Sequence, residues 1–366
     1  MNRQLVLCLL FLISFRVNSQ QNILDNAEVQ HNVERCLYNT YSYNFIEAKH
    51  YQEILEKQLA LHPAPYFLRA LILYWEYFPL LPGEPEVKEY EFYINLAVEK
   101  SKIMLEKDSN SMEAIFFDMH ARAFRAMFWA DNGKPGKAIA DIDNMYRSTL
   151  KGIDFKEKFN EFYFSSGLYN YYIEAYVEIH PLYKPLALLF QRGNKELGLR
   201  ELQYAIDSTT YITYEAQLYM SLIQLNYEQN LGTALEYAAN LYNHFPRNIY
   251  YLGQYLIILV HNRQFTVASV LNEKLGCEKE PFHHLIYQLI EGFLYENHRN
   301  SIDEAKLAYQ RVISEAENFG PVADLYVAIA YAGLARIAEK DNNSWDARKF
   351  RKKSSQLSGY KFILDF

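Results

Sequence analysis

The sequence has 366 residues, of which 50% are hydrophobic, with 44 acidic against 37 basic side chains and a formal net charge of −7. A mildly acidic chain has no field that attracts phosphate backbones, so these numbers exclude most nucleic-acid-binding classes, and we expect no nucleic-acid partner. Only 3 cysteines are present, which excludes a fold held by many disulfides and leaves the hydrophobic core to hold the structure.

The first residues of the chain have the parts of a secretory signal peptide, residues 1–19. Arg3 supplies the basic start, an apolar run follows from Leu5 to Phe15, and we predict cleavage between Ser19 and Gln20. The run is too short to span a bilayer, and Cys8 lies inside it, where a lipoprotein signal would not place its cysteine. We therefore expect an exported protein, periplasmic or outer-membrane-associated in a Gram-negative bacterium. The mature chain has no predicted transmembrane segment and at most a peripheral contact with the envelope.

Helical periodicity of apolar side chains fills the rest of the chain, and no stretch alternates polar and apolar residues long enough to predict a sheet. Turn-forming residues interrupt this periodicity, in chain order, at His62-Pro63, Pro82-Gly83, Asn132 to Gly136, Gly193-Asn194, Phe245-Pro246, Gly320-Pro321 and Asp341 to Asn343. We divide the mature chain into an N-terminal half, residues 20–193, with long or irregular helix pairs, and a repeat half, residues 194–366, which ends in a capping helix.

Small residues recur where the second helix of a pair is predicted to begin. They are Ala48, Ala97, Ala138, Gly198, Ala234, Ala268, Ala305 and Ala347. From Gly198 onward their spacing is close to a period of about 34 residues, which is typical of tetratricopeptide repeats. A physical reason supports this interpretation, because only Ala or Gly lets the backbones of two helices approach closely where they cross.

Residues 194–356 resemble tetratricopeptide repeats. Gly292-Phe293-Leu294-Tyr295, Ile302-Asp303-Glu304-Ala305 and Tyr309 match the family's packed glycine, its helix-A aromatic, the small residue of helix B and the aromatic four residues later. The family's tryptophan is absent, so the units are degenerate. Residues 167–199 are similar to the eukaryotic tetratricopeptide family of outer mitochondrial membrane and inclusion-body-clearance proteins. The resemblance implies an all-α fold, a right-handed superhelical stack of antiparallel helix pairs of the α-solenoid type.

The resemblance also implies which residues line the concave surface of the stack, because the family uses helix-A positions five, nine and twelve there. In this sequence the register assigns a ligand-contacting groove, whose proposed residues are Tyr219, Ile223, Asn226, Ile257, Val260, Leu289, Phe293 and Arg336. The basic clamp with which some family members bind a terminal carboxylate is missing. A groove floored by apolar side chains suits an apolar or amphipathic ligand, or is filled by the N-terminal half of the protein itself.

These observations favour a non-catalytic scaffold that binds a protein or peptide partner through the groove or through the apolar segment Tyr66 to Pro82. One alternative is a carrier of a lipid or other apolar small ligand in an interior lined by Tyr169, Tyr172, Leu189 and Phe190. An enclosed cavity with few polar walls would favour the carrier, and an open groove would favour peptide binding. A hydrolase-like enzyme, with a site that the sequence does not show, is the third hypothesis.

No motif for catalysis, cofactor binding or metal binding is present, and we predict none of these sites. The adjacent His283 and His284 are the best metal candidates, but neighbouring side chains on a helix point about 100° apart and rarely bind one ion together. Ser165 and Ser166 lie near Glu161 without a nucleophile motif or a nearby histidine, so a catalytic serine is not predicted.

Overall fold

The computed structural model describes residues 24, 26–179, 181 and 184–363. The predicted signal peptide and its cleavage site between Ser19 and Gln20 lie outside the described residues. The helices are α1 Ala27–Tyr41, α2 Phe45–Gln58, α3 Ala64–Glu76, α4 Pro85–Lys107, α5 Met112–Asp131, α6 Ile139–Phe155, α7 Phe162–Ile179, α8 Lys184–Ala187, α9 Lys195–Ser208, α10 Thr213–Asn226, α11 Leu231–His244, α12 Ile249–His261, α13 Phe265–Gly276, α14 Pro281–Asn297, α15 Ile302–Glu315, α16 Asp324–Lys340 and α17 Ser344–Leu357. No strand occurs in these ranges, which confirms the predicted all-α class.

Each long helix packs mainly against the helices next to it in the chain, and α7 packs against α9 across the short α8. Contacts between sequence neighbours are typical of helical repeat arrays, in which each unit buries its apolar face on the next. The structure is therefore a stack of helix pairs, as predicted. The contact between α7 and α9 joins the N-terminal half to the repeat half directly.

Five helix pairs share the same turn and the same crossing. In each turn one residue that is not glycine has a positive φ of 54° to 57° and lies two positions before the second helix; these residues are Tyr43, Gln229, Arg263, Asn300 and Asn342. The fourth residue of each following helix is a buried alanine, namely Ala48, Ala234, Ala268, Ala305 and Ala347. The small residues predicted from the sequence therefore mark the helix crossings at these five positions.

Gly198 occupies the equivalent fourth position of α9. A Cβ atom there would lie 2.7 Å from the carbonyl oxygen of Gly167 in α7, so the close approach of the two backbones requires glycine. The prediction is wrong at Ala97 and Ala138. Ala97 lies in the middle of α4, which has 23 residues, and Ala138 ends a short 3-10 helix before α6.

The array folds back on itself, so that α1, α3 and α5 contact the repeat half. The side-chain amide of Asn248 donates to the carbonyl oxygen of Tyr41 at 3.0 Å. The rings of Phe78 and Phe282 have centroids 5.6 Å apart, and the segment Gly320–Ala323 contacts α5. The two halves therefore enclose an interior between them.

The C-terminal segment adds to this closure. Its 3-10 helix Lys361–Ile363 packs against α10 and α16, and the ring of Phe362 lies 5.0 Å from that of His261 in α12. Phe362 and Ile363 are both buried. The inner surface of the repeat half is thus filled by the protein's own chain.

One helical segment among the described residues, Gly320–Lys340, is long and apolar enough to cross a membrane by length and composition. Of its most apolar window, 61% is buried inside the protein. Buried core helices pass the same test of length and composition, so this segment is weak evidence for a membrane span.

Candidate functional site

The structure places most of the predicted groove residues in the packed interior. Ile223, Ile257, Val260, Leu289 and Phe293 are each exposed by 1% or less. A ligand would not reach these side chains unless packed segments moved away. The sequence left two alternatives at these positions, an accessible groove floor or a groove filled by the N-terminal half, and the structure has buried core residues there.

Two polar residues of the predicted groove are also held inside the protein. Asn226 is buried at the end of α10. The guanidinium of Arg336 donates to Glu296 at 2.8 Å, and the side chain of Glu296 has no exposed surface. Arg336 therefore neutralises a buried carboxylate within the protein.

The second predicted surface, residues 66–82, is mostly core as well. Every residue from Tyr66 to Trp75 is buried except Arg69, which is ion-paired with Glu89 at 2.7 Å. The apolar run is the α3 helix and packs between its neighbours in the stack. It does not form an exposed docking patch.

Of the eight predicted groove residues, Tyr219 lines an accessible space. That space is a cavity of about 390 Å³ enclosed by α3, α5, α6, α7, α10 and α12. The lining residues are Tyr74, Trp75, Phe78, Met119, His120, Ala123, Phe124, Met127, Met145, Thr149, Phe164, Ser165, Leu168, Tyr169, Ile212, Glu215, Leu218, Tyr219, Leu222 and Tyr250. The cavity has the size of a small-molecule site, and its walls are mostly aromatic and sulfur-containing side chains.

The cavity has a closed end and a more open end. In α10 the earlier lining residue Glu215 is buried, whereas Leu222, two turns later, is half-buried. Along α5, His120 is buried and Met127 is half-buried. Along α7, Phe164 is buried and Tyr169 is half-buried. The closed end therefore lies toward the N-termini of these three helices, and Glu215 lies there.

Glu215 is the main polar group of the closed end. Among the described residues its Oε2 atom has no hydrogen-bond partner, and burial raises the pKa of this carboxyl to about 8. The indole nitrogen of Trp75, which lines the same cavity, also has no partner among the described residues. Buried polar atoms without partners cost free energy, which makes these two groups candidates for contact with a ligand.

His120 contributes no positive charge to the cavity. Its Nδ1 donates to the carbonyl oxygen of Phe116 at 2.8 Å, which leaves a neutral ring with Nε2 as an acceptor. Burial lowers the pKa of His120 to about 4. Among the described residues that line the cavity there is no Lys or Arg, so the walls offer no cation to an acidic ligand.

The arrangement does not form a nucleophile with its base. The hydroxyl of Ser165 donates to the carbonyl oxygen of Phe162 at 3.1 Å. No hydrogen bond between Ser165, His120 and Glu215 is found in the described part of the chain, although all three line the cavity. Covalent catalysis needs a nucleophile and a base within hydrogen-bond reach.

The described residues also contain no group of three or more His, Cys, Asp or Glu side chains placed to hold a metal ion. The adjacent histidines have separate surroundings. His283 is buried, and burial lowers its pKa to about 4. His284 is half-buried and contacts Glu315 at 3.4 Å.

The carrier hypothesis predicted an interior lined by four residues, and of these only Tyr169 is among the described residues that line the cavity. Tyr169 lines the cavity, and its hydroxyl donates to the carbonyl oxygen of Gln191 at 2.7 Å. Tyr172 packs against Tyr227 outside the lining. Leu189 is 76% exposed, and Phe190 packs beside Tyr146 with ring centroids 4.9 Å apart.

Sequence reasoning missed Glu215, although a signal was present. It is the only charged residue of α10, and it shares one helical stripe with Leu218, Tyr219 and Leu222. A carboxyl at the start of an apolar stripe indicates a buried polar site. Comparison with known proteins adds no assignment, since no protein-family model matches the chain and no curated protein matches it either.

Proposed function

We propose that this protein is a non-catalytic, exported carrier that binds one apolar small molecule in the cavity between its two halves. The observation that carries the proposal is the cavity itself, about 390 Å³ in volume and lined mostly by aromatic and aliphatic side chains. Apolar pockets of this size with a few polar groups are typical ligand sites. The burial of the predicted groove residues favours this carrier over a scaffold that binds a peptide in the groove.

The energetics support binding in this cavity. Each ~100 Å² of apolar ligand surface removed from water contributes about 2.5 kcal/mol. The aromatic walls are held in place by edge-to-face contacts, such as Trp75 with Tyr250 at 5.3 Å and Tyr74 with Phe124 at 5.4 Å. Walls that are already ordered lose little entropy when the ligand enters.

A fluorescence titration with the neutral apolar dye N-phenyl-1-naphthylamine tests the carrier function. We expect saturable binding at one site per chain. Ala123→Phe places a ring in the cavity and should abolish dye binding, because Ala123 lines it. Ala130→Phe, on the exposed face of the same helix, is the matched control and should bind like the wild type. Equal binding by both variants would contradict the cavity as the site.

A second experiment identifies the natural ligand. The protein purified from its native envelope is extracted with organic solvent, and the extract is compared with that of Ala123→Phe by mass spectrometry. We expect an apolar compound that is present at about one molecule per wild-type chain and lost from the variant. The same preparation tests export, because cleavage after Ser19 predicts a mature chain that begins at Gln20.

A protein-binding role remains the second proposal, and one observation favours it. Exposed apolar side chains lie on α6 and just after α8, where Ile139, Ile142, Leu188 and Leu189 are 67%, 48%, 75% and 76% exposed. This surface lies beside Tyr146, which contacts residues near the open end of the cavity. A partner that receives the ligand would dock here, and Ile142→Glu should weaken ligand transfer to that partner without weakening dye binding.

A further inference from the structure

The polar end of the cavity shows which kind of ligand it selects. Glu215 is more than nine-tenths buried, lines the cavity, and has an Oε2 atom without a partner among the described residues. A carboxyl in this position costs free energy when the cavity is empty. A ligand group that pairs with this oxygen therefore gains more binding free energy than one that leaves it unpaired.

Aromatic rings surround the same space. Trp75, Tyr74, Tyr219 and Tyr250 all line the cavity, and the face of an aromatic ring attracts a cation within about 6 Å. Behind them, the buried Tyr251 has its ring 5.8 Å from that of Trp75. A carboxyl and aromatic rings that line one cavity form a combination that recognises amines and quaternary ammonium groups.

Two carboxyls act on the lining residue Tyr219. Burial raises the pKa of Tyr219 to about 12, and the charges of Glu215 and Asp131 act in the same direction, so the field of both carboxyls reaches this lining residue. His120 is neutral because burial lowers its pKa to about 4. Once ionised, a Glu215 carboxylate in this apolar cavity attracts a cation and repels an acid.

We propose that the ligand has a positively charged end, an amine or ammonium group that sits against the Glu215 carboxylate and the surrounding ring faces, while its apolar part extends toward Met127 and Leu222. This inference rests on the proposed carrier function and adds the chemical class of the ligand. When the cation enters, the Glu215 carboxyl gives up its proton to solvent and pairs with the ligand as a carboxylate. Fatty acids are then poor ligands, because no lining residue offers them a cation.

Competition against N-phenyl-1-naphthylamine with octylamine, octyltrimethylammonium, octanol and octanoate tests this assignment, since the four compounds share one apolar chain. We expect the two cations to displace the dye at about tenfold lower concentration than octanol, because only the cations pair with the Glu215 carboxylate. A tenfold difference corresponds to about 1.4 kcal/mol. Octanoate should be the weakest competitor. Equal displacement by octanol, or stronger displacement by octanoate, would overturn the inference and leave the carrier function standing.

Glu215→Gln should remove the preference for cations while leaving octanol binding within about twofold of the wild type, because the side chain keeps its size. Glu236→Gln, an exposed carboxyl on the next helix, is the matched control and should keep the full preference. A cation preference that survives in Glu215→Gln would contradict the assignment. The wild-type series decides the question even if this variant does not fold, and failure of the dye to bind wild-type protein would overturn the carrier function itself.

Discussion

Two buried glutamates in this protein have opposite surroundings. Glu296, in the packed core of the repeat half, accepts from Arg336 at 2.8 Å, Tyr309 at 2.9 Å and Lys340 at 3.2 Å. Burial opposes its ionisation, but these partners hold its pKa below the usual value. Glu215, at the wall of the cavity, has an unpaired oxygen, and burial raises its pKa to about 8.

The difference separates a carboxylate that the fold itself neutralises from a carboxyl that the described residues leave without a partner. The partners of Glu296 are all supplied by the fold, so its charge is satisfied before any ligand arrives. Glu215 lacks such a partner in the described part of the chain, and the space beside it is open to a ligand. The same residue type is therefore paired within the fold in one region and, among the residues that the structure describes, lacks such a partner at the cavity wall in the other.

Arg336→Met should give the largest effect, because it leaves the Glu296 carboxylate buried with its main partner removed. Loss of one partner of a buried ion pair costs about 3–5 kcal/mol. Urea unfolding followed by circular dichroism measures the change. The paired replacement Arg336→Met with Glu296→Leu should recover most of this loss, and a double variant as unstable as the single one would contradict the pairing.

Gly333→Ala tests how tightly the same core is packed. An added Cβ would lie 2.4 Å from the ring of Tyr309, which is fully buried. The ring has no room to move, because Gly292 faces it as well, with an equivalent Cβ at 2.5 Å. Overpacking of this kind costs about 3 kcal/mol. Gly136→Ala meets no atom within 4 Å and should leave the unfolding midpoint unchanged.

Glu215→Gln should have a smaller effect that depends on pH. Burial raises the pKa of Glu215 from 4.5 to about 8, so the folded protein keeps a proton that the unfolded chain releases at lower pH. The contribution of this group to stability therefore falls as the pH rises from about 4.5 to about 8. Glutamine does not titrate, so the stability of the Glu215→Gln variant does not fall over this pH range for this reason.

The measurement is the melting temperature of both proteins from pH 5 to pH 9. We expect the smallest difference in melting temperature at pH 5, and an advantage for the variant that grows up to about pH 8 and then stays constant. A difference that is independent of pH would show that Glu215 is already ionised in the folded protein.

Much of the fold was predictable because it depends on local pattern. Helical periodicity gave the all-α class, and the alanines at Ala234, Ala268 and Ala305 marked helix crossings because a larger side chain would separate the backbones. The long α4 could not be placed in this way. Ala97 is a small residue, as the pattern requires, but it lies in the middle of its helix and not near the start. The predicted handedness of the superhelix and the tetratricopeptide assignment stay predictions.

The site was harder to predict because it depends on contacts between distant segments. Tyr219, which the register assigned to the groove, lines the cavity, but the register could not show that Phe362 and Ile363 are buried against the repeat half. It also treated α3 as an exposed patch because an apolar helix has the same composition whether it docks inside or outside. The one charged residue of α10 was the clue that points to the cavity.

Because the chain folds back on itself, its helices pack in a set order during folding. Hydrogen bonds join Tyr41 to Asn248 and Leu24 to Tyr211 across 207 and 187 residues of sequence. Neighbouring helix pairs form from local contacts and assemble quickly, whereas closure of such long loops is slow. During synthesis the first helices therefore complete their packing only after α10 and α12 have emerged. The lining of the cavity is complete only when more than two thirds of the chain has been synthesised, because it includes Tyr250.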